Sequence, residues 1–257
     1  CGHADLDMTD EDYVKDYIKM GFKRMAFTDH CPEKNEIDKR NNMRMKYSKR
    51  KEYLENIQAL KEKYAGQIEI QSGYEIEYLP GEEENLKELK EETDKLILGQ
   101  HFIYDDNKQL IIFGKHDFSD KELLRYAEYI EQAMKLKLPD IIAHPDFCML
   151  KRKTFGEIEA KVAHLICKAA EKYDVPLEIN LNNIFKYTYY EKGVLNHNPI
   201  EEQKKKLQKV VYPCKDFWKI ASEYDIHVLY GIDAHHKGQV VLFKELVELA
   251  NEIIGKD

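Results

Sequence analysis

Along this chain, short apolar runs alternate with longer charged stretches in which apolar residues fall three and four apart. Thr9 followed by Asp10, Glu11 and Asp12 predicts a helix start, with a hydroxyl to cap the first turn and acids to meet its dipole. Tyr13, Val14, Tyr17 and Ile18 form its apolar stripe, and Gly21 ends it. Phe22–Thr28 reads as a strand. An amphipathic helix over 48–64 carries Tyr53, Leu54, Ile57 and Leu60 on one face, and a strand runs from Ile68 to Glu75. The pattern then gives a charged helix over Glu82–Thr93, a strand at Leu96–Leu98, a Ser119-capped helix over 120–136 and a strand at Ile141–Ala143. It closes with a helix over 156–173, a strand at Pro176–Ile179, a helix over Phe217–Tyr224, a strand at Ile226–Tyr230 and a helix over 239–254.

Six short strands alternating with helices predict an α/β fold built on a parallel sheet. A chain of 257 residues without a linker or internal repeat fits one domain spanning 1–257. A hydrophobic content of 43% is enough for a core and excludes a disordered chain. The net charge of −8 argues against nucleic acid or an anionic membrane as partner. No apolar run approaches the ~20 residues of a membrane span, and no basic start leads into an apolar core. Five scattered cysteines read as reduced thiols and a cytoplasmic location.

Chemistry in parallel α/β folds lies at the C-terminal ends of the strands. In this chain those ends carry Asp29 and His30, Glu75 and Glu77, His101, His144 and Asp146, Asn180, and Asp233, His235 and His236. His3 precedes the first helix on the same face. A single strand-end histidine is more often a cap than a ligand; recurrence at strand after strand is what points to a ring of metal ligands. Neutral imidazoles and carboxylates suit zinc, manganese or iron(II), and a carboxylate bridging two such ions makes a clamp for phosphoryl displacement. His116, His164, His197 and His227 fit surface or structural roles.

The motifs Cys1-Gly2-His3, Thr28-Asp29-His30, Gly73-Tyr74-Glu75-Ile76-Glu77, Gly99-Gln100-His101-Phe102, Ala143-His144-Pro145-Asp146, Leu177-Glu178-Ile179-Asn180 and Gly231-Ile232-Asp233-Ala234-His235 follow one another in the order of the PHP-domain phosphoesterases. The chain resembles that family, and within it the histidinol-phosphate phosphatase branch. The resemblance implies a distorted (β/α)7 TIM-like barrel with up to three divalent ions. By it, His3, His30 and His235 hold one ion; His101, His144 and a bridging Glu75 hold a second. Glu75 and Asp233 hold a third with a His-x-His of the first strand, and Asp233 and His235 serve catalysis. That His-x-His belongs a few residues before His3, while the sequence begins at Cys1. The expectation is a chain without its first strand, two open sheet edges and an incomplete third site.

Ions in such a site lower the pKa of water from 15.7 to about 7 and furnish the nucleophile for in-line attack on phosphorus. Lys151 and Arg152 are candidates to neutralise the phosphate, with a solvated loop as the alternative. Asn180 either contacts substrate or orients a ligand, and Asp29 and Asp146 are candidate partners of the histidine rings. Tyr187, Tyr189 and Tyr190 lie in a long excursion that forms a lid, an aromatic wall or an oligomer contact. The expected substrate is a small phosphomonoester, histidinol phosphate before a nucleotide or phosphotyrosine. A metal-binding but inactive domain is the reading from another class.

Overall fold

The computed structural model describes residues 8–32, 44–115, 117–191 and 194–255; Cys1, Gly2, His3 and His116 lie outside them. Ten strands are present among these residues, and six form one parallel sheet: β1 (Arg24–His30), β2 (Glu69–Ile76), β3 (Lys95–Leu98), β6 (Ile141–Ile142), β7 (Leu177–Asn180) and β10 (Val228–Gly231). Their order in the sheet is their order in the chain. Each connection therefore advances one place in the same direction, which curls the sheet into an open half-barrel of the TIM-like kind. Among the described residues β1 and β10 are the outer strands, each paired on one side. The expected fold class holds, with six parallel strands.

Sequence dictates most of these elements locally. The helix Asp10–Lys19 starts on a reciprocal cap: Thr9 Oγ1 accepts from Asp12 N at 3.3 Å, and Asp12 Oδ2 accepts from Thr9 N at 3.0 Å. Ser119 and Glu122 repeat the device before the helix Asp120–Lys135. The helix Arg50–Lys63 lays Tyr53, Ile57 and Leu60 onto the sheet, where Tyr53 stacks on Tyr74 at 5.5 Å and donates to the carbonyl of Gly73. Helix Glu157–Tyr173 ends at Asp174, whose φ of +54° closes the left-handed cap that a glycine more often takes. Tyr74, Ile76, Leu96, Leu98, Ile142, Leu177 and Ile179 are buried along the strands, as expected of a parallel sheet covered by helices.

Two hairpins and two short helices escape the periodicity argument. β4 (Phe102–Tyr104) and β5 (Leu110–Ile112) form an antiparallel hairpin directly after His101. The excursion after Asn180 folds as the helix Asn182–Thr188, the hairpin β8 (Tyr190–Glu191) with β9 (Val194–Leu195), and the helix Ile200–Lys204. These elements run two to seven residues, too short for a period of 3.6 or 2 to register. Among the described residues no helix is long and apolar enough to cross a membrane.

Candidate metal centre

Parallel register brings the strand-end residues together. His30 on β1 is level with Glu75 on β2. His101 follows β3 and His144 follows β6, so three imidazoles converge on one carboxylate. Glu75 Oε2 lies 3.0 Å from His30 Nδ1; Oε1 lies 2.9 Å from His144 Nε2 and 3.7 Å from His101 Nε2. The rings are neighbours as well, His101 standing 4.8 Å from His144 and 5.4 Å from His30. Glu75 can lie here because residue 99 is glycine: a Cβ there would meet Glu75 Oε1 at 1.8 Å.

Burial pushes the Glu75 carboxyl up, but His30, His101 and His144 outweigh it and hold it well below the usual carboxylate range. Burial works in the other direction on His144, and Glu75 overrides it, raising the ring to about 9. His30 is raised by the same partner against the same burial. One carboxylate thus faces three rings, a grouping that positive charge among them stabilises. Protons supply that charge poorly, because imidazolium rings at these separations repel each other. A divalent ion supplies it while leaving the imidazoles neutral. The donor atoms of His30, Glu75 and His101 lie within 4.8 Å of one another, the span of one coordination sphere, and His144 Nδ1 is buried without a hydrogen-bond partner. The residues fit a metal ion.

Glu77, two residues along the same segment, supports the cluster from behind. Its Oε1 lies 2.8 Å from His101 Nδ1, and its Oε2 accepts from the backbone of His101 at 2.7 Å and of Phe102 at 3.3 Å. Arg44 pairs with Glu77 in turn, both side chains fully enclosed. Burial raises the Glu77 carboxyl, and His101 and Arg44 more than reverse this. Sequence reasoning noted Glu77 as a strand-end acid and gave this orienting part to Asp29 and Asp146. Asp146 instead accepts from Cys214 N at 2.6 Å and Trp218 Nε1 at 3.0 Å, tying the 144–149 segment to the helix Lys215–Ala221. Burial raises its carboxyl to about 6.

Asp233 and His235 follow β10. Asp233 Oδ2 accepts from Asn182 Nδ2 at 3.0 Å and from Asn180 Nδ2 at 3.2 Å. His235 Nδ1 lies 3.2 Å from Asp233 Oδ1. Gln239 accepts from His235 N at 2.9 Å and donates to the carbonyls of Ile232 and Asp233. Asn180 also donates to Glu178 Oε2, which accepts from His144 N at 3.0 Å. Burial raises the Glu178 carboxyl to about 7; His144 opposes this and Asp233 adds to it. His144 and Asp233 both have left-handed backbones, with φ of +31° and +47°. Such conformations cost on the order of 1–3 kcal/mol outside glycine and persist only where neighbours enforce them. Here Glu178 and the carboxamides enforce them.

The structure therefore brings together His30, Glu75, His101, His144, Asn180, Asp233 and His235, and places His235 next to His30 with ring centroids 6.5 Å apart. His3 lies outside the described residues. Arg152 is bound elsewhere: its Nε meets Glu159 Oε1 at 2.5 Å and its Nη1 donates to the carbonyl of Phe118. Lys151 is exposed, and among the described residues no hydrogen bond or ion pair joins it to the cluster. Phe147 and Tyr212 wall one side, Phe147 edge-on to His101 at 4.8 Å. Of the three tyrosines of the excursion, Tyr189 is core, Tyr187 is exposed and Tyr190 stacks on His236 at 4.1 Å.

Residues 3–182 match the PHP domain family. The chain is 26% identical to the "probable histidinol-phosphatase" of Deinococcus radiodurans, over 100% of this chain and 91% of that one. It is 24% identical to the histidinol-phosphatase of Bacillus subtilis, over 93% of this chain and 91% of that one. Its fold matches, with a TM-score of 0.64 and 15% identity, the crystal structure of histidinol phosphate phosphatase from Lactococcus lactis complexed with zinc, L-histidinol and phosphate; the match covers 96% of this chain and 89% of that one.

Proposed function

The chain belongs to the PHP-domain family, and we propose that it is a divalent-metal-dependent phosphomonoesterase that hydrolyses histidinol phosphate to histidinol and phosphate. The observation that carries this reading is Glu75, with one oxygen turned to His30 and the other to His144 and His101. A carboxylate so shared suits a bridge between two ions. We assign His101, His144 and Glu75 to one ion and His30 and His235, with His3, to another; Glu75 and Asp233 would serve a third. The histidinol-phosphatases among its relatives support the substrate. The cysteines Cys31, Cys148, Cys167 and Cys214, none of them in a disulfide among the described residues, support a cytoplasmic setting. The large core cluster that runs from Val14 to Ala250 among the described residues supports a single domain.

Bound ions would supply Lewis acidity and an activated water for attack on phosphorus. The protein's own part is to hold the ligands still. Glu77, fixed by Arg44, sets the tautomer of His101 by occupying Nδ1 and leaving Nε2 for the centre. Asn180 and Asn182 fix the Asp233 carboxylate, and Gln239 fixes the backbone that carries Asp233 and His235. Phe147 and Tyr212 keep water from the flank of His101 and His144.

Phosphate release from histidinol phosphate, with manganese or zinc added and metal content measured in parallel, tests the reading. The expected result is turnover that a chelator abolishes and that His144→Ala reduces by on the order of a thousandfold. A metal-loaded protein that releases no phosphate from histidinol phosphate would overturn the substrate assignment. A protein that takes up no metal would overturn the centre itself.

A further inference from the structure

We propose that Lys186 is the cation that receives the substrate's phosphate group, an inference that rests on the phosphomonoesterase reading above. The centre is rich in carboxylates: Glu75, Glu77, Glu178 and Asp233 all converge on it. A phosphomonoester dianion approaching them needs a positive side chain free to turn toward it. Arg44 is committed to Glu77, Arg152 to Glu159, and Lys206 to the carbonyl of Thr188.

Lys186 is differently placed. It lies on the helix Asn182–Thr188, which follows β7 at the C-terminal edge of the sheet. Asn182, the first residue of that helix, donates to Asp233 at 3.0 Å and lies 3.4 Å from His235 Nδ1. Residues four apart on a helix share a face, and helical side chains lean back toward the N-terminal turn. Lys186 is four residues beyond Asn182, so helix spacing sets it on the same side of the helix as the residue that touches Asp233 and His235. It is exposed, and among the described residues it makes no hydrogen bond or ion pair. A flexible ammonium on a four-carbon stem suits a ligand that arrives and leaves, as phosphate must.

Calorimetric binding of inorganic phosphate to the zinc-loaded protein tests this, comparing wild type with Lys186→Ala and Lys186→Arg. Lys186 is exposed, so both variants should fold; equal zinc content verifies it. A lost charge-assisted contact predicts about tenfold weaker phosphate binding in Lys186→Ala and a matching rise in KM for histidinol phosphate. Lys186→Arg should restore most of both, and histidinol, which lacks the phosphate, should bind all three proteins alike. Phosphate affinity unchanged in Lys186→Ala, or an equal loss for histidinol, would overturn the assignment. If the wild type fails to turn over histidinol phosphate while Lys186→Ala still weakens phosphate binding, the substrate reading fails and Lys186 stands as the anion site.

Discussion

On the β2 side of the centre the ligands are held by charge: Glu75 by three imidazoles, His101 by Glu77, and Glu77 by Arg44. On the β10 side one imidazole, His235, faces Asp233, and neutral carboxamides do most of the holding. Asn180 and Asn182 grip the Asp233 carboxylate, and Gln239 grips the backbone on either side of it. The difference follows from position. Glu75 lies inside a ladder of paired strands, where a charge must find its partner among neighbouring strand ends. Asp233 leaves an outer strand through a left-handed turn, and the turn needs backbone hydrogen bonds more than it needs charge. Protons should therefore bear more heavily on the β2 side, where three rings share one carboxylate, than on the β10 side, where one ring faces Asp233.

The strongest way to break the comparison is Glu75→Gln. The volume is kept and the Gly99 cradle still fits, but the charge that gathers the three rings is lost. Metal uptake and kcat/KM should both fall by on the order of a thousandfold, measured by elemental analysis and phosphate release. Loss of turnover with full metal content would show that Glu75 acts on substrate rather than as the organiser of the ligands.

A finer cut compares Glu77→Gln with Asn182→Ala. Without metal, burial opposes the His144 proton and Glu75 prevails, holding it to about 9. The stabilisation from that protonated pair is complete below the free-ring value of 6.5 and is lost as pH rises through about 9. A metal ion must displace the proton, so metal affinity should climb with pH across this window. Glu77→Gln should weaken metal binding about 10–100-fold, the usual cost of removing a partner of a ligand histidine. Asn182→Ala should cost about tenfold in turnover, through a looser Asp233, and leave the pH slope of metal affinity parallel to wild type. A changed slope in Asn182→Ala would mean that the two sides share their protons after all.

The β2 side was the more legible of the two in sequence. His30, Glu75, His101 and His144 each end a strand that periodicity predicts, and parallel register does the rest. Asn180 stood out for the same reason. Asn182 and Gln239 did not, because a carboxamide in a short helix or a turn carries no signature of its own; only the fold shows that they meet Asp233. Arg44 is 33 residues from Glu77, and that pairing is set by tertiary structure alone. The two hairpins were missed because strands of two or three residues have too few positions to alternate. Lys151 and Arg152 drew attention through their nearness in sequence to His144. Yet the segment after His144 turns away through a short 3-10 helix and a left-handed Lys151, φ +71°, before Arg152 is reached.

Arg152 gives the smallest effect and a control for both sides of the centre. Glu159 is almost wholly buried, and its Oε2 accepts from Gly156 N at 2.8 Å to start the helix Glu157–Tyr173. Burial raises its carboxyl; Gly156 N, its own backbone N–H and Arg152 together bring it below the usual value. Arg152→Ala removes one of those supports and leaves the carboxylate buried. The expected cost is about 1–3 kcal/mol of stability, or several degrees in Tm. A depressed carboxyl stabilises above its unfolded value and loses that contribution as pH falls through the folded one. The gap between wild type and Arg152→Ala should therefore be full near neutral pH and close in acid. KM for histidinol phosphate should stay where it is. A raised KM with unchanged Tm would reverse the assignment and return Arg152 to the phosphate, in direct competition with Lys186.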